Sequence, residues 1–492
     1  MKSLLFRSFA SLAILLASAI AFSADGPPFT DPAPPAVKSP DDIAPAAQKN
    51  PDTTFHIAPK PLDKAAVVQD WPCLLGPTHN GFSTETKLLQ KFPPGGPTLV
   101  WEMTKGEGYA QPAVVGERLI LFHRVANNET VDCLQAATGQ RFWRYEYPTA
   151  YLDQYGYCNG PRSSPAVAGD NVITIGAEGK LHCLQLRNGH VLWSRDLRKE
   201  FKLPQNFFGV GASPLIEGDK VIINVGAPGG PCVAAFDIKT GKMLWGAGRE
   251  WGPSYASPVP AVVQGKRRVF VFAGGKSQPP DGGLLCIDPE NGHVDFTFPW
   301  RGTRHDSVNA SSPVIIANQV FISECYGSGG IMLDIQPDLT AKTAWTNPQF
   351  GTHFMTAIPK DGYLYGVDGH GPEDAFFCCI DAKTGKEMWR TQPEWPQTLK
   401  TRTGSRDTTL GTYRCNLLMI DGRCLCLGEY GHILWLDLNP QGYKQTARAW
   451  LVSASETWTP PVVSHGLLYI CQNTAGSAGE PMRLLCYDLR GG

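Results

Sequence analysis

The stretch Cys183-Leu184-Gln185-Leu186-Arg187-Asn188-Gly189-His190-Val191-Leu192-Trp193 decides the fold. An apolar run passes through a small thiol, a turn carries Asn188-Gly189, and a second run ends in an indole. The spacing returns four times. Cys133 to Trp143, Ala235 to Trp245, Cys286 to Phe296 and Cys379 to Trp389 each set an aromatic ten positions after a small residue. Longer turns separate Met332 from Trp345 and Trp435 from Trp450, and a last copy at Cys486 has no aromatic after it. A period this long marks an array of one supersecondary unit.

Residues 163–197 show the whole unit. Ser164-Pro165-Ala166-Val167 opens it, Gly169-Asp170 turns, and Val172 to Ile175 is a second strand. Glu178-Gly179 turns again, Leu181 to Leu186 is the third strand, and Val191 to Trp193 the fourth. Four short antiparallel strands joined by Gly-bearing hairpins make a propeller blade. Further units open at Gln111, Ser213, Ser257, Ser312, Thr356, Cys415 and Thr459, which makes eight. Proline suits the first place in a strand, where its missing N–H breaks no ladder, so these opening strands are predicted to line the central channel.

The last unit lacks its aromatic strand, and Thr98-Leu99-Val100-Trp101-Glu102 is an aromatic strand without a unit. The expectation is an all-β, eight-bladed propeller of four-stranded blades over 98–490, closed by this N-terminal strand. Closure removes the exposed edges of an open array. Trp101, Trp143, Trp193, Trp245, Trp345, Trp389 and Trp450 are then the aromatics between blades, with Phe296 or nearby Trp300 in the remaining place.

Residues 1–23 read as an export signal: Lys2 and Arg7 precede an apolar run from Leu12 to Ala21, and Ala21-Phe22-Ser23 offers small residues for cleavage. The run is short for a membrane span, so the mature protein is expected to be soluble, periplasmic or secreted. Residues 24–70, rich in Pro and Ala, are expected to form a disordered linker. Residues 71–97 should pack on the propeller as a turn-rich lead-in. The chain has 44 basic and 45 acidic residues with no basic block, which argues against a nucleic-acid surface. Of its 14 cysteines, those at 133, 183, 286, 379 and 486 share a repeat position where Ala235 and Met332 also stand, and so read as packing thiols. Cys73, Cys158, Cys232, Cys325, Cys415 and Cys471 have no such assignment and could pair.

The repeat resembles the PQQ-like (pyrroloquinoline-quinone) β-propeller, the fold of quinoprotein alcohol dehydrogenases and of the outer-membrane assembly scaffold. Gly160-Pro161-Arg162-Ser163-Ser164-Pro165, Gly176-Ala177-Glu178-Gly179, Asp381-Ala382-Lys383-Thr384-Gly385-Lys386 and Trp458-Thr459-Pro460-Pro461 carry the resemblance, which covers roughly 71–490. Trp71-Pro72 with Gly76-Pro77 is similar to exported planctomycete-type proteins of this kind. The dehydrogenase branch implies PQQ at the channel mouth, Ca²⁺ held by a carboxylate, an amide and an Asp, an Asp base, a Trp floor and a vicinal-disulfide ceiling. Cys378-Cys379 matches the last in sequence but falls inside a strand, where neighbours point to opposite faces. No complete Ca²⁺ set is recognisable, there is no CxxCH haem attachment, and no catalytic or metal residue is assigned.

A ligand is expected where the loops entering the innermost strands converge. The candidates there are Tyr109, Gln111, Asn159, Arg162, Tyr255, Arg304, His305, Asp306, Asn309, His353, Arg406, Glu456 and Trp458, with Tyr157, Phe207, Phe208, Trp251, Asp407 and Tyr413 nearby. Aromatics beside planar cations and amides suit a polar, partly unsaturated ligand, a sugar or a peptide. Arg162 could pair with a loop carboxylate. His305 beside Asp306 could serve acid–base chemistry, and Asp306, Asp407 and Glu456 could together hold a cation. The leading expectation is a non-catalytic exported binding or scaffold module with a protein or glycan partner on one face of the disc. A PQQ-dependent oxidoreductase and a carbohydrate-binding propeller are the alternatives.

Overall fold

The computed structural model describes residues 27–275 and 280–491. The export-signal segment lies outside them. Eight sheets, each with four strands of the repeat, follow one another around a central axis. Blade one comprises Ala113–Val115, Arg118–Val125, Asn128–Gln135 and Arg141–Pro148; blade two comprises Ala166–Ala168, Asn171–Ile175, Lys180–Gln185 and Val191–Asp196. The first strands of neighbouring blades touch one another, which places them innermost as their sequence predicts. Among the described residues helix is confined to Leu197–Phe201. Thr98–Thr104 pairs antiparallel with Arg483–Asp488, with Trp101 opposite Cys486. The ring is closed by an N-terminal strand.

The small-to-aromatic spacing has a geometric cause. Cys183 lies directly across from Trp193 and the register shifts immediately after it. The same pairing and shift recur at Cys133 with Trp143, Ala235 with Trp245, Cys286 with Phe296, Met332 with Trp345 and Cys379 with Trp389. The shift is a bulge, which bends and twists the strand at a fixed place in each blade. Each indole N–H then donates to a carbonyl of the next blade's turn: Trp143 to Leu186, Trp193 to Ile238 and Trp345 to Ala382. The turn glycine sits flat on that indole. A Cβ on Gly189 would lie 2.6 Å from Trp143, and one on Gly385 2.5 Å from Trp345.

Blade seven exchanges the two partners. Trp435 occupies the small-residue position and Ala447 the aromatic one. Trp450, predicted as an inter-blade aromatic, instead pairs with His432 in its own blade, stacks on that ring at 5.1 Å and donates to Tyr430 O. The swap conserves volume across the pair, which a packed interior tolerates best. All fourteen cysteines are free thiols. Cys378 and Cys379 lie within the strand Phe376–Asp381.

The Pro- and Ala-rich stretch read as a linker runs along the outer edges of four blades. The Asp31 carboxylate accepts from Arg195 Nη2 at 2.6 Å and from the Met243 N–H at 2.8 Å. The Lys38 N–H reaches Leu192 O, Gln48 bridges Arg141, and Thr53–Phe55 pairs with Thr98–Thr104. Composition registers what a segment can bury by itself. Here the open N–H and C=O rows of the outer strands supply the partners.

Residues 71–83 cross the opposite end of the axis. Trp71 bridges Val114, Val167 N–H reaches Pro72 O, and Phe82–Ser83 lies parallel to Met419 and Ile420. Leu74 and Leu75 therefore close the channel from below.

Candidate functional site: a funnel at the channel mouth

Every blade is entered the same way, and this builds a funnel. Gln111, Ser164, Ser213, Ser257, Ser312, Thr356, Asn416 and Pro460 stand at equivalent places where the chain enters the innermost strands. The Gln111 N–H donates to Ser164 Oγ, Ser164 to Ser213 and Ser213 to Ser257, each at 2.9 Å. Ser257 donates to Ser312 at 3.2 Å and Ser312 to Thr356 at 3.3 Å. Gln111 also reaches the other neighbouring blade, its Nε2 donating to Pro460 O and Pro461 O. Each hydroxyl in this belt accepts one N–H and keeps its own proton to donate into the channel.

Two residues earlier in each blade stands a second ring, since in extended chain positions i and i+2 share a side. It reads Tyr109, Arg162, Gly211, Tyr255, Ala310, Phe354, Arg414 and Trp458, and all eight line one cavity of about 230 Å³. Leu74 and Leu75 floor it; Tyr157, Phe208, Tyr326, His353 and His370 stand around its upper part. Gly211 is small because a Cβ there would meet Tyr255 at 2.7 Å. The rings lean on one another: Tyr109 on Trp458 at 5.4 Å, Phe354 on Trp458 at 5.5 Å and Phe208 on Tyr255 at 5.5 Å.

Both guanidiniums of the collar are neutralised from behind. Arg162 pairs with the buried Asp153 carboxylate and lies 5.1 Å over the Phe208 ring. Arg414 pairs with buried Glu429 and lies 4.5 Å over Trp458, whose indole N–H donates to the same carboxylate at 3.0 Å. Burial drives the His353 imidazole well below its usual range, with the charges of His370 and Arg414 adding to it. Its Nε2 lies 3.0 Å from the Tyr326 hydroxyl, and its Nδ1 is buried without a hydrogen bond. The funnel thus presents aromatic faces, hydroxyl donors and a buried imidazole, with both collar guanidiniums already paired to carboxylates.

The family described as outer membrane protein assembly factor BamB, built of PQQ-type repeats, matches residues 127–391, more than half of the chain. The chain belongs to this PQQ-like propeller family. Among curated relatives, the dehydrogenase subunit of the quinone-linked alcohol dehydrogenase of Gluconobacter oxydans is 29% identical over 54% of the chain and 37% of its own length. Tetrathionate hydrolase of Acidithiobacillus ferrooxidans is 26% identical over 34% of the chain and 36% of its own length. The chain thus spans little more than a third of these relatives. BamB from Moraxella catarrhalis superposes with a TM-score of 0.52 at 16% identity, covering 80% of this chain and 98% of that one. The quinohemoprotein alcohol dehydrogenase of Comamonas testosteroni gives 0.59 at 13%, covering 86% and 81%. These likenesses share a fold across proteins with different names, as expected when sites are grafted onto a common frame.

The vicinal-disulfide ceiling of the dehydrogenase branch has no counterpart in Cys378 and Cys379, which lie within a strand as free thiols. Among the described residues no three His, Cys, Asp or Glu side chains gather as a metal cradle. Asp153 and Glu429 are committed to arginines.

Of the predicted residues, Tyr109, Arg162, Tyr255, His353 and Trp458 converge on the cavity, with Tyr157 and Phe208 beside them. Arg162 pairs with a loop carboxylate as foreseen. The others lie elsewhere. Gln111 sits below the cavity, its Oε1 accepting from Trp71 Nε1 and Leu75 N–H. Asn159 accepts from the Asp153 N–H, and Asn309 donates to Ala273 O, so both brace loops. Glu456 accepts from the Tyr109 hydroxyl at 2.8 Å. Arg304 and Asp306 pair with each other on the surface at 2.9 Å. Arg406 and Asp407 project on an inserted hairpin, Glu394–Thr401 and Gly404–Gly411. Asp306, Asp407 and Glu456 therefore hold no cation together. Phe354, Arg414, Tyr326 and His370 escaped the sequence reading. The first two were legible: writing out the residue two places before each ring position yields the collar directly.

Proposed function

We propose that the protein is an exported, non-catalytic binding module whose funnel holds one small, neutral, ring-bearing molecule. One observation carries this reading: the eight-position collar sets four aromatic rings and two already neutralised guanidiniums above a belt of hydroxyl donors. An anionic ligand would find both guanidiniums already matched by carboxylates, and aromatic faces are best used by a flat apolar surface. Export rests on the charged and apolar N-terminal pattern, and among the described residues no helix is long and apolar enough to cross a membrane. The test is a thermal-shift and calorimetric screen of the exported chain against small sugars, nucleosides and aromatic metabolites, repeated with Trp458→Ala. A ligand that stabilises the protein and is lost in the variant is the expected result. PQQ with Ca²⁺ is the decisive control. Dye reduction with an alcohol or sugar after their addition would overturn the non-catalytic reading in favour of a quinoprotein oxidoreductase.

A further inference from the structure

The funnel does not end at its collar. On the side of blades two and three its lip passes into an aromatic shelf built from two loops. Leu152 and Tyr155 come from the first, 68% and 51% exposed, and Phe207 and Phe208 from the second. Tyr155 packs at 5.9 Å from Phe207 and 5.6 Å from Phe208, and Phe208 in turn contacts Tyr255 inside the collar. The loops are laced together: Gln205 Nε2 donates to Leu152 O at 3.0 Å, and Gln154 Nε2 reaches Phe207 O at 3.3 Å. Leu152 and Tyr155 are therefore held facing water, with Phe207 and Phe208 half-buried beside them. A contiguous exposed apolar surface of this kind marks an interaction site.

We infer that shelf and funnel form one cleft for a neutral oligosaccharide, with a terminal sugar in the funnel and the next stacked on Tyr155 and Phe207. The inference rests on the funnel being a binding cavity and deepens that reading. Three observations converge on a glycan. At about 230 Å³ the funnel is smaller than the ~300–1,000 Å³ typical of sites for drug-sized ligands, so it takes one ring and a longer ligand must leave over the lip. The belt of hydroxyls can donate to a ligand rich in oxygen acceptors. Both collar guanidiniums already carry carboxylate partners, which weakens the pull of the site on an anionic chain. A proline-rich peptide would use the same rings and offer its backbone carbonyls to the belt, so it is the competing outcome that the test must separate.

The test is calorimetric titration of the exported chain with glucose and xylose and with the tetrasaccharides of the cello-, malto- and xylo- series. A printed glycan array and a proline-rich peptide are run alongside. In at least one series the tetrasaccharide should bind roughly tenfold or more tighter than the monosaccharide. Tyr155→Ala should remove roughly 2- to 10-fold of that gain, the worth of one aromatic contact, and leave the monosaccharide affinity in place. Tyr155→Phe should keep the gain, which separates loss of the ring from loss of the loop. Equal affinity for short and long sugars overturns the inference, as does a Tyr155→Ala effect on both alike, array silence, or capture of the peptide instead. If another small ligand binds in a Trp458-dependent way while every glycan fails, the funnel reading survives and the oligosaccharide does not.

Discussion

Gly385 and Gly422 both hold left-handed backbone, with φ of +72° and +75°, yet they face different surroundings. A Cβ at 422 would meet nothing within 4 Å, whereas one at 385 would press on the Trp345 indole. Gly422→Ala should therefore cost about 1–2 kcal/mol from backbone strain alone. Gly385→Ala should cost a further ~1–3 kcal/mol from overpacking against the ring. Denaturant unfolding of the two variants would show the difference. His182 shows another kind of residue-scale effect. Burial pushes its pKa from 6.5 to about 4, with the Lys180 charge contributing, and its ring lies 4.3 Å from Tyr147. The folded state favours the neutral ring. Its contribution is therefore fully present above the unfolded pKa near 6.5 and is lost as pH falls toward 4, with a slope of up to ~1.4 kcal/mol per pH unit. His182→Phe should flatten the fall in stability over that window, as read by urea midpoints at successive pH values.

The closing strand is the element on which the ring depends. Trp101 is fully buried and its indole N–H donates to Ala136 O at 2.9 Å, joining the last blade to the first. Trp101→Ala should cost ~3–5 kcal/mol, the range for truncating a buried large aromatic. It should also loosen Arg483–Asp488 into an edge strand, and edge strands recruit other chains. Gel filtration and limited proteolysis should show oligomers and early cleavage near the last blade. Trp389→Ala, at a partly exposed indole, should show neither to the same degree. The segment from Asp31 to Phe55 shields outer edges of four blades in the same sense, while residues 71–83 turn an open channel into a floored funnel. These two unremarkable stretches of sequence decide which face of the disc can receive a ligand.

At the scale of the whole molecule, repetition made the architecture readable. A spacing of ten from small residue to aromatic, Gly at the turn between them and an opening Ser-Pro are local requirements of one blade, and eight copies announce a closed ring. The collar was half legible for the same reason: Tyr109, Arg162, Tyr255, Phe354, Arg414 and Trp458 hold one phase of that repeat. The sequence by itself thus determined the blade, the number of blades, the closing strand and half of the collar. Tertiary structure alone decided the rest. That Asp153 and Glu429 neutralise the two arginines, that Arg304 takes Asp306, and that Leu74 and Leu75 close the channel are contacts between parts of the chain with no common period. Blade seven's exchange of Trp435 and Ala447 belongs with them, because packing constrains the volume of a facing pair and leaves open which strand supplies the larger member.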